Sequence, residues 1–306
     1  MAQTLFLTIF FLLLVTQTLS KTLCNPKDKQ VLLQIKKAFN NPYVLTSWNP
    51  SDDCCTWYCV TCDPKTHRIN SLTVSGGLSG QIPPQIGDLP HLVGLTLRKN
   101  ENLTGPIPPA IVKLRKLRYL VLDWNSLTGP VPDFLSQMQT LTYFTLSFNK
   151  LTGSIPSSLS NLTNLEAIHL DRNQLTGSIP ESFGHFKKMD FGTIDLSRNK
   201  LVGDGSMLFG SKKTTQFVDL SRNLLEFDLS KVEFSKSLTW IDLNHNKIWG
   251  KLPAGLAAFE YFQVFNVSYN SLCGKIPVGG YLQKLDDKSF FQNRCLCGAP
   301  LAPCKK

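Results

Sequence analysis

Apolar residues recur in one phase along most of the chain. Residues 118–129 read RYLVLDWNSLTG, 143–153 YFTLSFNKLTG, 167–177 AIHLDRNQLTG and 193–203 TIDLSRNKLVG. The shared pattern is L-x-x-L-x-L-x-x-N-x-L-x-G-x-[IVL]-P. Aligned on its asparagine, it places Asn100, Asn125, Asn149, Asn173, Asn199, Asn223, Asn246 and Asn270 at steps of 25, 24, 24, 26, 24, 23 and 24. An earlier copy at 69–83 is one residue shorter and has Gly77 where the asparagine is expected. The alternating L-x-L predicts a short strand whose two apolar residues point inward and whose neighbours point outward. The asparagine follows the strand, where its amide can satisfy backbone groups of adjacent turns. Gly and the recurring Pro83, Pro108, Pro132, Pro156, Pro180, Pro253 and Pro277 belong to the turning, convex side. Short helical or 3₁₀ turns, such as 109–114 and 157–162, then lead back to the next strand.

One such strand cannot bury its face alone, so stacked copies form one parallel sheet. Nine copies with a period near 24 specify a leucine-rich repeat. The fold class expected is an α/β solenoid, a right-handed superhelix with a concave parallel β-sheet. Its two open ends need caps, and the nine cysteines supply them. Five lie at 24–62 and four at 273–304, with none in the 210 residues between. The N-terminal cap opens on an amphipathic helix at 28–39, where Val31, Leu32, Ile35 and Phe39 have helical spacing. The organisation expected is a signal peptide at 1–20, a cysteine-rich cap at 21–66, nine repeats at 67–272 and a second cap at 273–306.

The first twenty residues carry no charge, and their apolar run at 5–15 is too short to span a bilayer comfortably. They predict a secretory signal cleaved near Ser20, with the mature chain starting near Lys21. No later segment reaches 18 apolar residues, so no membrane stem is expected. A mean hydropathy of −0.06 excludes a polytopic membrane protein. The formal charge of +10 belongs to the mature chain and favours polyanionic partners. An exported solenoid is not expected to meet nucleic acid; an acidic wall polysaccharide is the better candidate.

Catalytic motifs are not found. Cys59 and Cys62 form a C-x-x-C, which in an exported chain points to structural disulfides more than to redox or metal chemistry. The five histidines are scattered. The strand aspartates can in principle pair for glycoside hydrolysis, but a hydrated polar surface is the simpler reading. No enzyme activity, cofactor or metal is expected. Asn102, Asn161 and Asn266 head N-x-[ST] sequons and are candidate glycan acceptors.

Binding residues are expected on the outward strand positions. The first column contains Tyr119, Tyr143, Phe217 and Trp240. The central one contains Thr145, His169, Asp195, Asp219, Asp242 and Asn266. The third contains Arg98, Asp123, Ser147 and Asp171. Just beyond it lie Lys99, Trp124, Phe148, Arg172, Arg198, Arg222, His245 and Tyr269. Strands are about 4.8 Å apart, so three Asp and three Arg make two parallel charged stripes. Six aromatics beside them (Tyr119, Trp124, Tyr143, Phe148, Phe217 and Trp240) are expected to be exposed. Aromatics and Arg next to carboxylates are the composition of a protein-binding hot region.

The stretches LCNPKDKQVLLQIKKA, DCCTWYCVTCD, the LTGxIP repeats, and CGKIPVGG with NRCLCGAPL closely resemble plant polygalacturonase-inhibiting proteins. The resemblance covers residues 22–304. It implies a secreted, cell-wall-associated defence protein that binds fungal endo-polygalacturonases, hydrolases of pectic homogalacturonan, through the concave face. A monomer is expected, and the charge of +10 with the Arg172, Arg198 and Arg222 stripe makes pectin a second expected partner. The family commonly has eight such cysteines, which leaves Cys59 as the unpaired one. The pairing expected is Cys24–Cys54, Cys55–Cys62, Cys273–Cys295 and Cys297–Cys304. The family usually has ten repeats. Here the tract at 183–191 reads as the end of one repeat joined to the late part of the next, with about 24 residues absent between them. The alternatives are an ice-binding solenoid, which needs a flat array of small polar residues, a wall-glycan hydrolase, and a truncated receptor ectodomain.

Overall fold

The structure is a computed structural model that describes residues 23–186 and 192–305. The expected signal peptide and its cleavage site lie outside the described residues. One ten-stranded sheet runs the length of the molecule. Its strands are β1 (Val60–Cys62), β2 (Ile69–Ser75), β3 (Gly94–Arg98), β4 (Tyr119–Val121), β5 (Tyr143–Thr145), β6 (Ala167–His169), β7 (Thr193–Asp195), β8 (Phe217–Asp219), β9 (Trp240–Asp242) and β10 (Val264–Asn266). β1 is antiparallel to β2 and the other neighbours are parallel.

From β4 onward each strand buries its middle residue, and the leucine or valine two positions on follows it inward. Leu120 with Leu122, Phe144 with Leu146, Ile168 with Leu170 and Val218 with Leu220 are all fully buried. At roughly 1.5–3 kcal/mol per large apolar side chain, this continuous stack dominates stability. The return side carries short second-layer strands and 3₁₀ turns such as Pro109–Lys113 and Ser157–Asn161, each opened by the repeat proline.

The asparagine ladder joins the turns. Asn173 is typical: its Nδ2 donates to Leu146 O and Leu170 O at 2.9 and 3.1 Å, and its Oδ1 accepts from Leu151 N at 3.0 Å. One more rung lies inside the C-terminal cap, where Asn293 bridges Val267 and Leu272. It stands 23 residues after Asn270, so its spacing marks it in the sequence although the cap boundary placed it outside the repeats.

The caps are stapled by Cys24–Cys54, Cys55–Cys62, Cys273–Cys295 and Cys297–Cys304, and Cys59 is a free thiol. The cap helix α1 (Pro26–Ala38) begins at Asn25, whose side chain accepts from Lys27 N and Asp28 N. Leu32, Ile35 and Phe39 are buried, while Val31 is only half-buried. Asp28 is buried beneath it and accepts from Arg68 at 2.7 and 2.8 Å and from Ile69 N at 3.0 Å. This pair fastens the cap to β2.

At the expected repeat junction, Phe186 packs against Phe183 with ring centroids 4.7 Å apart, and Lys213 donates to Gly184 O from the following turn. The intervening residues 187–191 lie outside the described residues. β6 and β7 nevertheless pair in unbroken parallel register. The second layer does not: Gln174–Leu175 ends one sheet, Val202–Gly203 starts another, and a single bridge from Ser178 to Val202 links them.

Candidate partner-binding face

The concave face is built by the strand register. Val121, Thr145, His169, Asp195, Asp219, Asp242 and Asn266 stand side by side on successive strands. The chain then turns sharply. Lys99, Trp124, Phe148, Arg172, Arg198, Arg222, His245 and Tyr269 all have φ between 52° and 56°. Side chains other than glycine pay roughly 1–2 kcal/mol for this left-handed conformation, and the ladder of asparagines that follows them holds it. The result is a ridge of large side chains along one edge of the sheet.

The ridge is stacked. Trp124 and Phe148 lie with ring centroids 3.6 Å apart at 14°. Arg172 covers Phe148. His245 and Tyr269 stack at 4.1 Å and 18°. Three arginines stand between the two aromatic ends. Burial and the flanking Arg172 and Arg222 lower the pKa of Arg198. No ion pair within 4.0 Å joins this arginine stripe to the aspartate column among the described residues.

Exposure departs from the expectation for several aromatics. Tyr119 and Trp124 are 45% and 46% exposed, but Tyr143, Phe148, Phe217 and Trp240 are half-buried. Strand spacing lets neighbouring rings cover one another: Phe217 stacks on Trp240 at 4.8 Å, and Tyr143 leans on His169 at 5.5 Å.

The third column departs further. Asp123 and Asp171 are only 8% and 7% exposed, and Ser147, Ser197, Ser221, Asn244 and Ser268 are buried too. These positions precede the left-handed residue, so their side chains fold between adjacent turns instead of facing outward. Asp123 is engaged by Arg98 at 3.0 Å, and Asp171 accepts from the Ser147 hydroxyl.

The central aspartates also have structural work. Asp195, Asp219 and Asp242 each accept, through Oδ1, from the amide two residues on, at 3.0, 2.9 and 3.0 Å. Asn266 does the same for Ser268. Burial raises the pKa of the aspartates: Asp195 to about 7, helped by Asp171 and Asp219, and Asp242 to about 6, helped by Asp219. Asp219 and Asp171 are raised for the same first reason. Burial lowers the pKa of His169. The column therefore holds closely spaced carboxylates that share protons in the mildly acid range.

His169, Asp171 and Asp195 converge, which separate positions in the sequence did not suggest. No metal is expected from the sequence. The signal available was the i, i+2 spacing of His169 and Asp171 with an Asp one repeat later. The sequons differ in setting. Asn102 and Asn161 are exposed, whereas Asn266 is half-buried with its amide oxygen on Ser268. No described helix is long and apolar enough to cross a membrane.

Two family models match: the leucine rich repeat N-terminal domain over residues 25–63 and the leucine-rich repeat region over 68–250. Polygalacturonase inhibitor 2 of Arabidopsis thaliana is 60% identical, and the match covers 99% of each chain. The polygalacturonase inhibitor of Vitis vinifera is 63% identical over 92% of this chain and 91% of its own. A solved plant ice-binding protein is 48% identical, with a TM-score of 0.80, over 92% of this chain and 98% of its own. The match to the Arabidopsis protein runs over 328 positions against 306 residues here, so at least 22 of its positions have no counterpart, close to the length of one repeat. With the repeat model over more than half its length and these identities end to end, the chain belongs to the leucine-rich-repeat family of polygalacturonase inhibitors.

Proposed function

We propose that this chain is a secreted plant defence protein that binds and inhibits fungal endo-polygalacturonases through its concave face, acting as a monomer in the cell wall and having no catalysis of its own. The observation that carries the reading is the ridge from Trp124 to Tyr269 beside an aspartate column, with no ion pair within 4.0 Å between them among the described residues. Charges that do not neutralise each other remain available to a partner. A polygalacturonase leaves its cleft open to a long anionic substrate, so its rim offers basic groups. Asp195, Asp219 and Asp242 suit such groups, and Arg172, Arg198 and Arg222 suit carboxylates on the enzyme. Trp124, Phe148 and Trp240 supply apolar anchors. His169 and His245 lie along the same face, while Asp123 and Asp171 act from beneath it by holding the strand ends. The test is inhibition of a panel of fungal polygalacturonases by the purified protein.

The same arginine stripe suits demethylated pectin, whose carboxylates repeat along a chain. Ice binding is the second reading, favoured by the likeness to the plant ice-binding protein. The outward columns here mix a histidine, aspartates and half-buried aromatics, which is not a flat array of small hydroxyls. Thermal hysteresis of a cooled solution separates the two, and release of reducing sugars from pectin would reveal a hydrolase.

A further inference from the structure

We propose that His169, Asp171 and Asp195 form a site for one divalent transition-metal ion of the Zn²⁺ class on the concave face. One imidazole nitrogen and two carboxylate oxygens lie within 4.8 Å of one another. The register makes this convergence: His169 and Asp195 are partners on β6 and β7, and Asp171 follows His169 by two residues.

The ligand side chains are held from behind. The Ser147 hydroxyl donates to Asp171, and the Thr145 hydroxyl donates to Ser147 Oγ at 3.1 Å. Ser197 N donates to Asp195 Oδ1 at 3.0 Å. The Tyr143 ring leans against the His169 imidazole. Outer partners of this kind orient metal ligands.

The carboxylates have no ion-pair partner within 4.0 Å among the described residues. Asp171 is more than nine-tenths buried, yet the ion pairs among the described residues use Asp28, Asp88, Asp123 and Asp228, and none uses Asp171 or Asp195. A buried carboxylate beside a half-buried one, with no ion-paired cation, is costly, and a divalent ion removes that cost. The imidazole selects the ion's class, because Ca²⁺ and Mg²⁺ prefer oxygen-only shells whereas Zn²⁺ accepts nitrogen with carboxylate. Three protein ligands leave a coordination position open toward the concave space, for water or for a carboxylate of whatever docks there.

The experiment is calorimetric titration of ZnCl₂ into metal-free protein at pH 7, for wild type, His169→Ala, Asp195→Asn and His91→Ala, a histidine far from the cluster. The expected result is one ion per wild-type chain, with affinity at least tenfold weaker in the two cluster variants and unchanged in His91→Ala. CaCl₂ should bind the wild type at least tenfold more weakly than ZnCl₂. No Zn²⁺ binding by the wild type, equal binding by the cluster variants, or a loss in His91→Ala would overturn the site. If the cluster variants misfold, X-ray absorption at the zinc edge of the loaded wild type decides. A shell of one imidazole and oxygens supports the site, and two or more imidazoles or any sulfur refutes it.

Discussion

The Arg172 guanidinium lies over the ring of Phe148, 4.5 Å from its centroid, although the two residues are 24 positions apart in the chain. Both stand at the left-handed position that ends a strand, one repeat apart. The repeat length thus turns a sequence period into a stacked surface. A cation over a ring at a partly exposed site contributes about 0.5–1 kcal/mol, so the ridge is held in shape before any partner arrives.

The ladder predicts a stability effect. In Asn173→Ala, the buried Leu151 amide loses its acceptor, while the Leu146 and Leu170 carbonyls each lose one of two donors and keep Asn149 and Asn199 Nδ2. An orphaned buried group costs about 1–3 kcal/mol, and the loss should fall in that range. Thermal or urea unfolding measures it; a cost below about 1 kcal/mol would mean that water replaces the amide.

Asp242 predicts a pH effect. Its folded pKa of about 6 lies above the ordinary 3.8, because of burial first and Asp219 second. The folded state therefore holds the proton more tightly than the unfolded chain. Its stabilising share is fully present below about pH 4 and is lost as pH rises through 6, reaching on the order of 2–3 kcal/mol by pH 7. Asp242→Asn keeps an acceptor for Asn244 N and cannot ionise. Its melting temperature relative to wild type should rise between pH 4 and pH 7. A constant difference across that range would contradict the assignment.

Much of this was legible from periodicity. The solenoid, its sheet and the inward leucines follow from an alternation that repeats every 23–26 residues, because stacking in register is the arrangement that buries every copy. Burial of Asp123 and Asp171 was not legible. It depends on the turn into positive φ at the next residue, and Trp, Phe and Arg are unusual there, so composition gave no warning. Half-burial of Phe217 and Trp240 arises between strands, from a neighbour that linear spacing places one repeat away. The Asp28–Arg68 pair was invisible for the same reason, since 40 residues separate its partners.

Glycan occupancy should follow exposure. Asn102 and Asn161 should carry glycans, and Asn266 should not, because its side chain caps Ser268 at the end of β10. Enzymatic deglycosylation in ¹⁸O water should label the first two only. A labelled Asn266 would mean that the cap opens before folding is complete.

Pectin binding should be electrostatic. With +10 overall and Arg172, Arg198 and Arg222 on successive repeats, affinity for demethylated homogalacturonan should fall at least tenfold between 50 and 300 mM salt, as the screening length shortens below about 10 Å. Replacing all three arginines by Gln should weaken binding by a similar factor. Binding insensitive to both changes would move the polyanion elsewhere.

The central claim is that the concave ridge inhibits polygalacturonases. The most direct measurement is the inhibition constant of wild type and Trp124→Ala against several fungal endo-polygalacturonases. Trp124 is 46% exposed and stacks on Phe148, so its removal should leave the fold intact. The account predicts inhibition of at least one enzyme by the wild type and a loss of roughly 30-fold, about 2 kcal/mol, on truncating Trp124. Inhibition by neither protein, or equal inhibition by both, would contradict it.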